Sequence, residues 1–224
     1  GVAVISSRGD WRLPATWTSA VGTDSWLEAR QGDLIAFAWG GLSNILHTTS
    51  GVLTFPADPR TPNCDLGPLE ITEFISGEVG HRLPVLPPFE ALLIESSRAK
   101  VAVDDMGFAH HYVRQLGGAA AMSTSARALA LLETAALCYP AVAVQSLLGW
   151  QLGERTMFAD VKKLPPGGSA TAEGGRLSIS DDRSTLPESP HQNPARAAAA
   201  VLRDFLIRYL EDHPDAELQL TGGL

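Results

Sequence analysis

Residues 89–123 read FEALLIESSRAKVAVDDMGFAHHYVRQLGGAAAMS, and the organisation of the whole chain follows from them. Phe89 to Glu95 and Ala99 to Val103 are two apolar, β-prone runs, and Ser96-Ser97-Arg98 supplies the turn between them. Asp104-Asp105-Met106-Gly107 is a second turn, and Ala109 to Gln115 is a third strand. Gly117-Gly118 then closes a hairpin onto Ala119 to Ser123. The pattern predicts a β-meander from residue 89 to 123.

Upstream, the same signals recur. Val2 to Ile5 is a short strand. Trp26 to Arg30 and Leu34 to Trp39 form a hairpin around Gln31-Gly32-Asp33. Gly51 to Phe55 is a further strand, and the Pro, Asn, Asp and Gly content of Asp58 to Pro68 marks a loop. Leu69 to Val79 has a modest helical pattern that Gly77 weakens.

Downstream, Ser125 is placed to cap a helix over Ala126 to Leu137, and a second helix covers Ala141 to Leu148, stopped by Gly149. Gly153 to Leu177 returns to turns and short strands, with Pro165-Pro166-Gly167-Gly168 as a tight corner. Asp181 to Gln192 reads as an exposed linker. Asn193 is a good N-cap with Pro194 at the first helical position. The run Ala195 to Asp212 places Val201, Leu202, Phe205, Leu206, Tyr209 and Leu210 on one face. His213-Pro214-Asp215 ends that helix, and Glu217 to Leu220 is a short strand running into Thr221-Gly222-Gly223-Leu224. Many strands, then helices, a linker and a helix–strand unit predict an α+β domain followed by the opening of an α/β domain.

Composition bounds the function. The 224 residues carry 17 Lys+Arg against 25 Asp+Glu, a formal net charge of −8, and 45% are hydrophobic. That apolar share can build a core, and the acidic balance argues against nonspecific nucleic-acid binding. Cys64 and Cys138 are too few and too isolated for a disulfide framework or a zinc site. No run is apolar over enough length to span a membrane, so the expectation is a cytoplasmic protein with neither membrane nor nucleic-acid partners.

The ending carries the first chemical signal. A strand running into Thr-Gly-Gly is how phosphate-binding loops begin, because glycines let backbone amides approach an anion. A Gly-rich tail is the plain alternative. The order of helix, His-Pro-Asp stop, strand and Leu220-Thr221-Gly222-Gly223-Leu224 resembles the start of the pyrophosphatase loop of asparagine synthetases, written SGGLDS. Independent stretches resemble the same family. Lys100 to Gly107, then Tyr112, are similar to the family pattern RDxxGxxPLYY: Asp104 and Gly107 match, the Arg and Pro do not. Thr124 to Leu129 resembles SExKAL. Gly149, Thr156, Phe158, Val161 and Leu164-Pro165-Pro166-Gly167 resemble the family strand and corner ending in LPPG. The resemblance covers residues 89–180 and 194–224, and only loosely 1–88.

The resemblance implies a class II glutamine amidotransferase-like region over residues 1–180, with an Ntn-hydrolase-like αββα sandwich of two antiparallel sheets. It implies a linker at 181–193 and, over 194–224, the first helix and strand of an ATP-pyrophosphatase domain. Thr221, Gly222, Gly223 and Leu224 would be a partial phosphate loop, and Asp104, Gly107 and Tyr112 structural motif positions. ATP and Mg²⁺ would serve the full-length protein, with neither bound by this portion alone. The implied partners are a C-terminal synthetase domain in cis or trans, a small-molecule or peptide carboxylate substrate, and a second copy in a homodimer.

The family nucleophile is an N-terminal Cys assisted by its own amine. Position 1 here is Gly1, and the family's NGE glutamine motif has no counterpart; Trp39-Gly40-Gly41-Leu42, the nearest by position, has no carboxylate or amide. The expectation is therefore an AMP-forming amide ligase region whose glutaminase is lost, as in β-lactam synthetases and lasso-peptide cyclases, with no catalytic residue and no metal ligand of its own. The alternatives are a non-catalytic scaffold on a synthetase partner and a glutamine-hydrolysing asparagine synthetase with an altered N-terminus.

Other residue groups have plainer readings. Asp104-Asp105 suits turn capping. His110 and His111 on one strand would face opposite sides and cannot share an ion. The serines lack a GxSxG elbow. Trp11, Trp17, Trp26, Trp39 and Trp150 read as core and sheet packing, and Lys162-Lys163 is too small a basic spot for nucleic acid.

Overall fold

The computed structural model describes residues 1–21, 27–39, 44–48, 51–55, 59–61, 65–77, 85–180, 193–212 and 214–216. Among the described residues twelve strands form two six-stranded sheets. In the first sheet the spatial order is β10 (Lys162–Lys163), β8 (Tyr112–Gln115), β9 (Ala119–Ser123), β1 (Val2–Ser7), β3 (Leu34–Ala38) and β2 (Leu27–Gln31). The second runs β12 (Arg176–Ser180), β11 (Ser169–Glu173), β7 (Arg98–Val103), β6 (Glu90–Ile94), β5 (Val52–Phe55) and β4 (Asn44–His47). Every pairing between these strands is antiparallel.

Strand periodicity sorts the side chains into layers. Along β1, Val2 and Val4 point between the sheets, where they meet Leu92, Val101 and Val103 of the second sheet. Ala3 and Ile5 point the other way, onto Trp17 of α1 (Trp17–Val21) and Leu129 of α3 (Ala126–Ala130). On the far side of the second sheet, Leu53, Ala91 and Leu93 pack against Ile71 and Ile75 of α2 (Pro68–Ser76). Helix, sheet, sheet, helix is the αββα sandwich predicted for residues 1–180. Its buried Trp17 keeps a polar partner, with Nε1 donating to Ala128 O at 2.7 Å.

Four elements differ from the sequence expectation. Residues 89–123 are not one meander: β6–β7 is a hairpin of the second sheet and β8–β9 a hairpin of the first. The predicted strand over Ala109 to Gln115 begins only at Tyr112. The amides of Met106, Phe108 and Ala109 are all taken by the Asp104 carboxylate, so this stretch cannot ladder and instead crosses between sheets. The helix predicted over Ala126 to Leu137 stops at Ala130. There the Arg114 guanidinium takes the carbonyls of Leu129, Ala130 and Glu133, and residues 136–138 pair with 157–159. Gly77 does not weaken α2 but ends it, as a left-handed C-cap at φ 82°. Two elements had no clear sequence signal, α1 and β4.

Helix α4 (Tyr139–Leu148) ends at Gly149 as expected, yet none of its residues is buried. Helix α5 (Pro194–Asp212) is capped by Asn193, whose Oδ1 accepts from Arg196 N at 3.0 Å. Phe205, Leu206 and Tyr209 line a groove shared with Leu86, Pro87 and Pro88, and the Arg60 guanidinium sits 5.3 Å from the Tyr209 ring centroid. Leu210 of the predicted face is half exposed. Gly40 to Leu42, the predicted linker at 181–192, the strand at 217–220 and Thr221 to Leu224 lie outside the described residues, as do Trp26 and Cys64.

Candidate functional site

The first strand delivers residue 1 to one end of the sandwich, the position the resemblance assigns to a nucleophile. Pairing of Val2 with Ala38 brings Trp39 beside it. The Gly1 amine donates to Trp39 O, and Trp39 N donates to Gly1 O at 2.9 Å. On the other flank, Val2 N donates to Thr124 Oγ1 at 3.0 Å and Ser123 Oγ donates to Val2 O at 2.8 Å. Residues 1 and 2 are thus held from both sides.

A side chain there would crowd the Trp39 ring. A Cβ built on Gly1 would lie 2.7 Å from Cε2 of Trp39 and 2.8 Å from both its Cζ2 and Nε1. The obstacle is a partly buried indole packed against the helix-side core rather than the end of a flexible chain, so a side chain at residue 1 would require the ring or the backbone to shift. Burial lowers the pKa of the Gly1 amine, and the Glu90 carboxylate partly offsets this.

Glu90 itself is buried and pairs with His111, Oε1 to Nδ1 at 2.7 Å. His111 is fully enclosed, and its Nε2 has no hydrogen-bond partner among the described residues. His110 is exposed, so the two adjacent rings do face apart, although both precede β8 and neither lies in a strand. Among the described residues no group of three His, Cys, Asp or Glu could hold a metal ion.

The three motif positions have the following surroundings. Asp104 is buried, and its carboxylate accepts from Phe89 N, Met106 N, Phe108 N and Ala109 N between 2.8 and 3.3 Å. Its carbonyl accepts from Gly107 N and Gly167 N. This ties the 104–107 turn to the Pro165–Gly168 corner, where a Cβ on Gly107 would meet Pro166 Cγ at 3.0 Å. Tyr112 is half-buried on β8, and that burial raises its pKa. Trp17 is core, as expected; Trp150 is a surface residue, 62% exposed.

The residues that sequence reasoning missed are Trp39 as the wall over residue 1 and the Glu90–His111 pair. Neither has a local signal, since their partners lie 38 and 21 positions away.

No family model and no curated protein matches the sequence. Among solved structures the chain is similar to glutamine phosphoribosylpyrophosphate (PRPP) amidotransferase from B. subtilis complexed with ADP and GMP. Identity is 9% and the TM-score 0.46, over 80% of this chain and 48% of that one. It is also similar to an allosteric regulatory enzyme of purine biosynthesis, at 10% identity and a TM-score of 0.41, over 80% of this chain and 42% of that one. The chain spans under half the length of either. No helix among the described residues is long and apolar enough to cross a membrane.

Thr221 to Leu224, the positions the resemblance named for the phosphates of ATP, lie outside the described residues.

Proposed function

We propose that this chain is the amidotransferase-like N-terminal portion of an asparagine synthetase-like, AMP-forming amide ligase in which glutamine hydrolysis has been lost. The observation that supports the lost hydrolysis is the Trp39 indole packed over residue 1. An Ntn-type nucleophile needs both a side chain and a space for substrate beside it. Here Trp39 fills the volume that the first atom of such a side chain would need. With no ammonia released, the nitrogen joined to the activated carboxylate would come from the substrate itself. The synthetase partner, in cis or in trans, would bring the ATP and Mg²⁺ site.

The test is ammonia release from glutamine, followed by a coupled dehydrogenase assay. Neither the chain nor its Gly1→Cys variant is expected to exceed the uncatalysed rate. Ammonia release by either would overturn the lost-glutaminase reading. The ligase half is tested with the synthetase partner present, by carboxylate-dependent exchange of pyrophosphate into ATP; an absence of exchange across amino-acid and peptide carboxylates counts against it.

A second reading, a non-catalytic scaffold, is favoured by α4. A helix carrying Tyr139, Leu147 and Leu148 with 42% to 83% of each exposed is a surface suited to a protein partner. The exchange assay separates the two readings, because a scaffold binds its partner without being needed for turnover.

A further inference from the structure

The turn at 152–155 and the segment from Lys162 to Pro166 enclose a cleft of about 590 Å³, separate from the residue 1 seat. Its walls include Glu154, Arg155, Lys162, Lys163, Pro165 and Pro166. Three of those six are cations, on a chain whose formal net charge is −8.

Their arrangement is unfavourable as it stands. Arg155 and Lys162 are partners in an antiparallel bridge, so their side chains leave the same face. Like charges directly opposite on an antiparallel pair are destabilising. Lys163 follows, held by its amide, which donates to Glu154 O at 2.8 Å. Among the described residues neither these three cations nor Glu154 makes a side-chain hydrogen bond or an ion pair within 4 Å. Burial lowers the pKa of Lys163, and only the Asp104 carboxylate opposes that; both oxygens of Asp104 are already engaged by backbone amides. Unpaired cations gathered at a concave wall, with Lys163 partly desolvated and Arg155 and Lys162 exposed, are what binds an oxyanion elsewhere in proteins, because a multiply charged anion offsets the repulsion among them.

We propose that this cleft is an anion site for the phosphate or diphosphate group of a small molecule, with Arg155 and Lys162 as the contacting cations and Lys163 completing the charge. The guanidinium supplies a planar fork for two oxygens, and the ammonium groups act as point charges. Glu154 lines the same cleft and repels any anion in proportion to its charge, a repulsion that the three cations outweigh.

The experiment is titration of the chain with inorganic phosphate and with pyrophosphate at constant ionic strength. Binding is read from amide shifts of Gly153 and Leu164 and by calorimetry. Saturable binding is expected, with pyrophosphate tighter than phosphate. The Arg155→Gln/Lys162→Gln double variant is expected to bind pyrophosphate at least tenfold more weakly, and Arg176→Gln, an exposed cation of β12, as the parent does. Because the two residues repel rather than pair, the double variant is also expected to melt no lower than the parent. Absence of saturable binding, equal weakening by Arg176→Gln, or a lowered melting temperature in the double variant would each overturn the proposal.

Discussion

His111 Nδ1 lies 2.7 Å from Glu90 Oε1, joining the start of a strand in one sheet to the approach of a strand in the other. Both side chains are buried, so the pair acts as an internal polar clamp between two apolar layers. Removing one partner strands the other in a low-dielectric interior, at a cost of about 2–3 kcal/mol. Glu90→Ala and His111→Ala should each show that loss in urea denaturation. The double variant should lose less than the sum by at least about 1 kcal/mol. Strict additivity would show that the two do not act together.

Asp104 and Asp105 are neighbours with unequal roles. Four backbone amides converge on the buried Asp104 carboxylate, whereas Asp105 is exposed. Hydrogen bonds to a charged acceptor are worth about 1.5–3 kcal/mol each, though several on one group do not add fully. Asp104→Ala should destabilise the chain by about 3–5 kcal/mol, and Asp105→Ala by less than about 1 kcal/mol. Equal losses in equilibrium unfolding would remove Asp104 from its place as the knot between the sheets.

His110 should titrate below the ordinary imidazole range. Burial is the larger cause and the Lys163 ammonium the second. Replacing Lys163 by Gln removes that charge, so an NMR titration of the His110 ring should move back upward in the variant. A folded-state pKa below the unfolded one means the unfolded chain binds more protons in that window. Stability from this group therefore rises as pH climbs through it, by a small amount because the ring is exposed. A Lys163→Gln variant whose His110 pKa falls or stays fixed would contradict the arrangement.

Two adjacent glycines in the β11–β12 hairpin differ as sharply. Gly174 has φ +52° and open space around it, whereas a Cβ on Gly175, at φ +74°, would lie 2.9 Å from Gly118 O and 2.9 Å from Arg8 Cβ. Gly175 also donates to Ser6 Oγ and accepts from Gln115 Nε2, which ties this hairpin to the opposite sheet. Gly174→Asn should be tolerated within about 0.5 kcal/mol, since Asn adopts left-handed backbone readily. Gly175→Ala should cost about 2 kcal/mol or more through strain and overpacking. A melting curve for each variant decides it.

Most strands were legible because their evidence is local. Alternating side chains and turn residues placed β1, the β2–β3 hairpin and β6 through β9 within one to three residues. The Ser125 cap is equally local, its Oγ accepting from Ala128 N at 3.3 Å. The length of α3 was not, because Arg114, a residue of β8, ends that helix by taking its carbonyls. Helix α1 has too short a periodic stretch to register, and its Trp17 acquires meaning only against Phe37, 4.9 Å away between ring centroids.

The sequence by itself determined the alternation of strands and helices, the acidic balance, the glycine at position 1 and the turn chemistry of Asp104. Those properties depend on a residue and its near neighbours, or on none. Only the tertiary structure decided that residues 89–123 divide between two sheets, that Trp39 closes the space over Gly1, and that Arg155, Lys162 and Lys163 share one cleft. Each of these depends on segments distant along the chain being brought within a few ångströms, and strand pairing and sheet stacking set such distances.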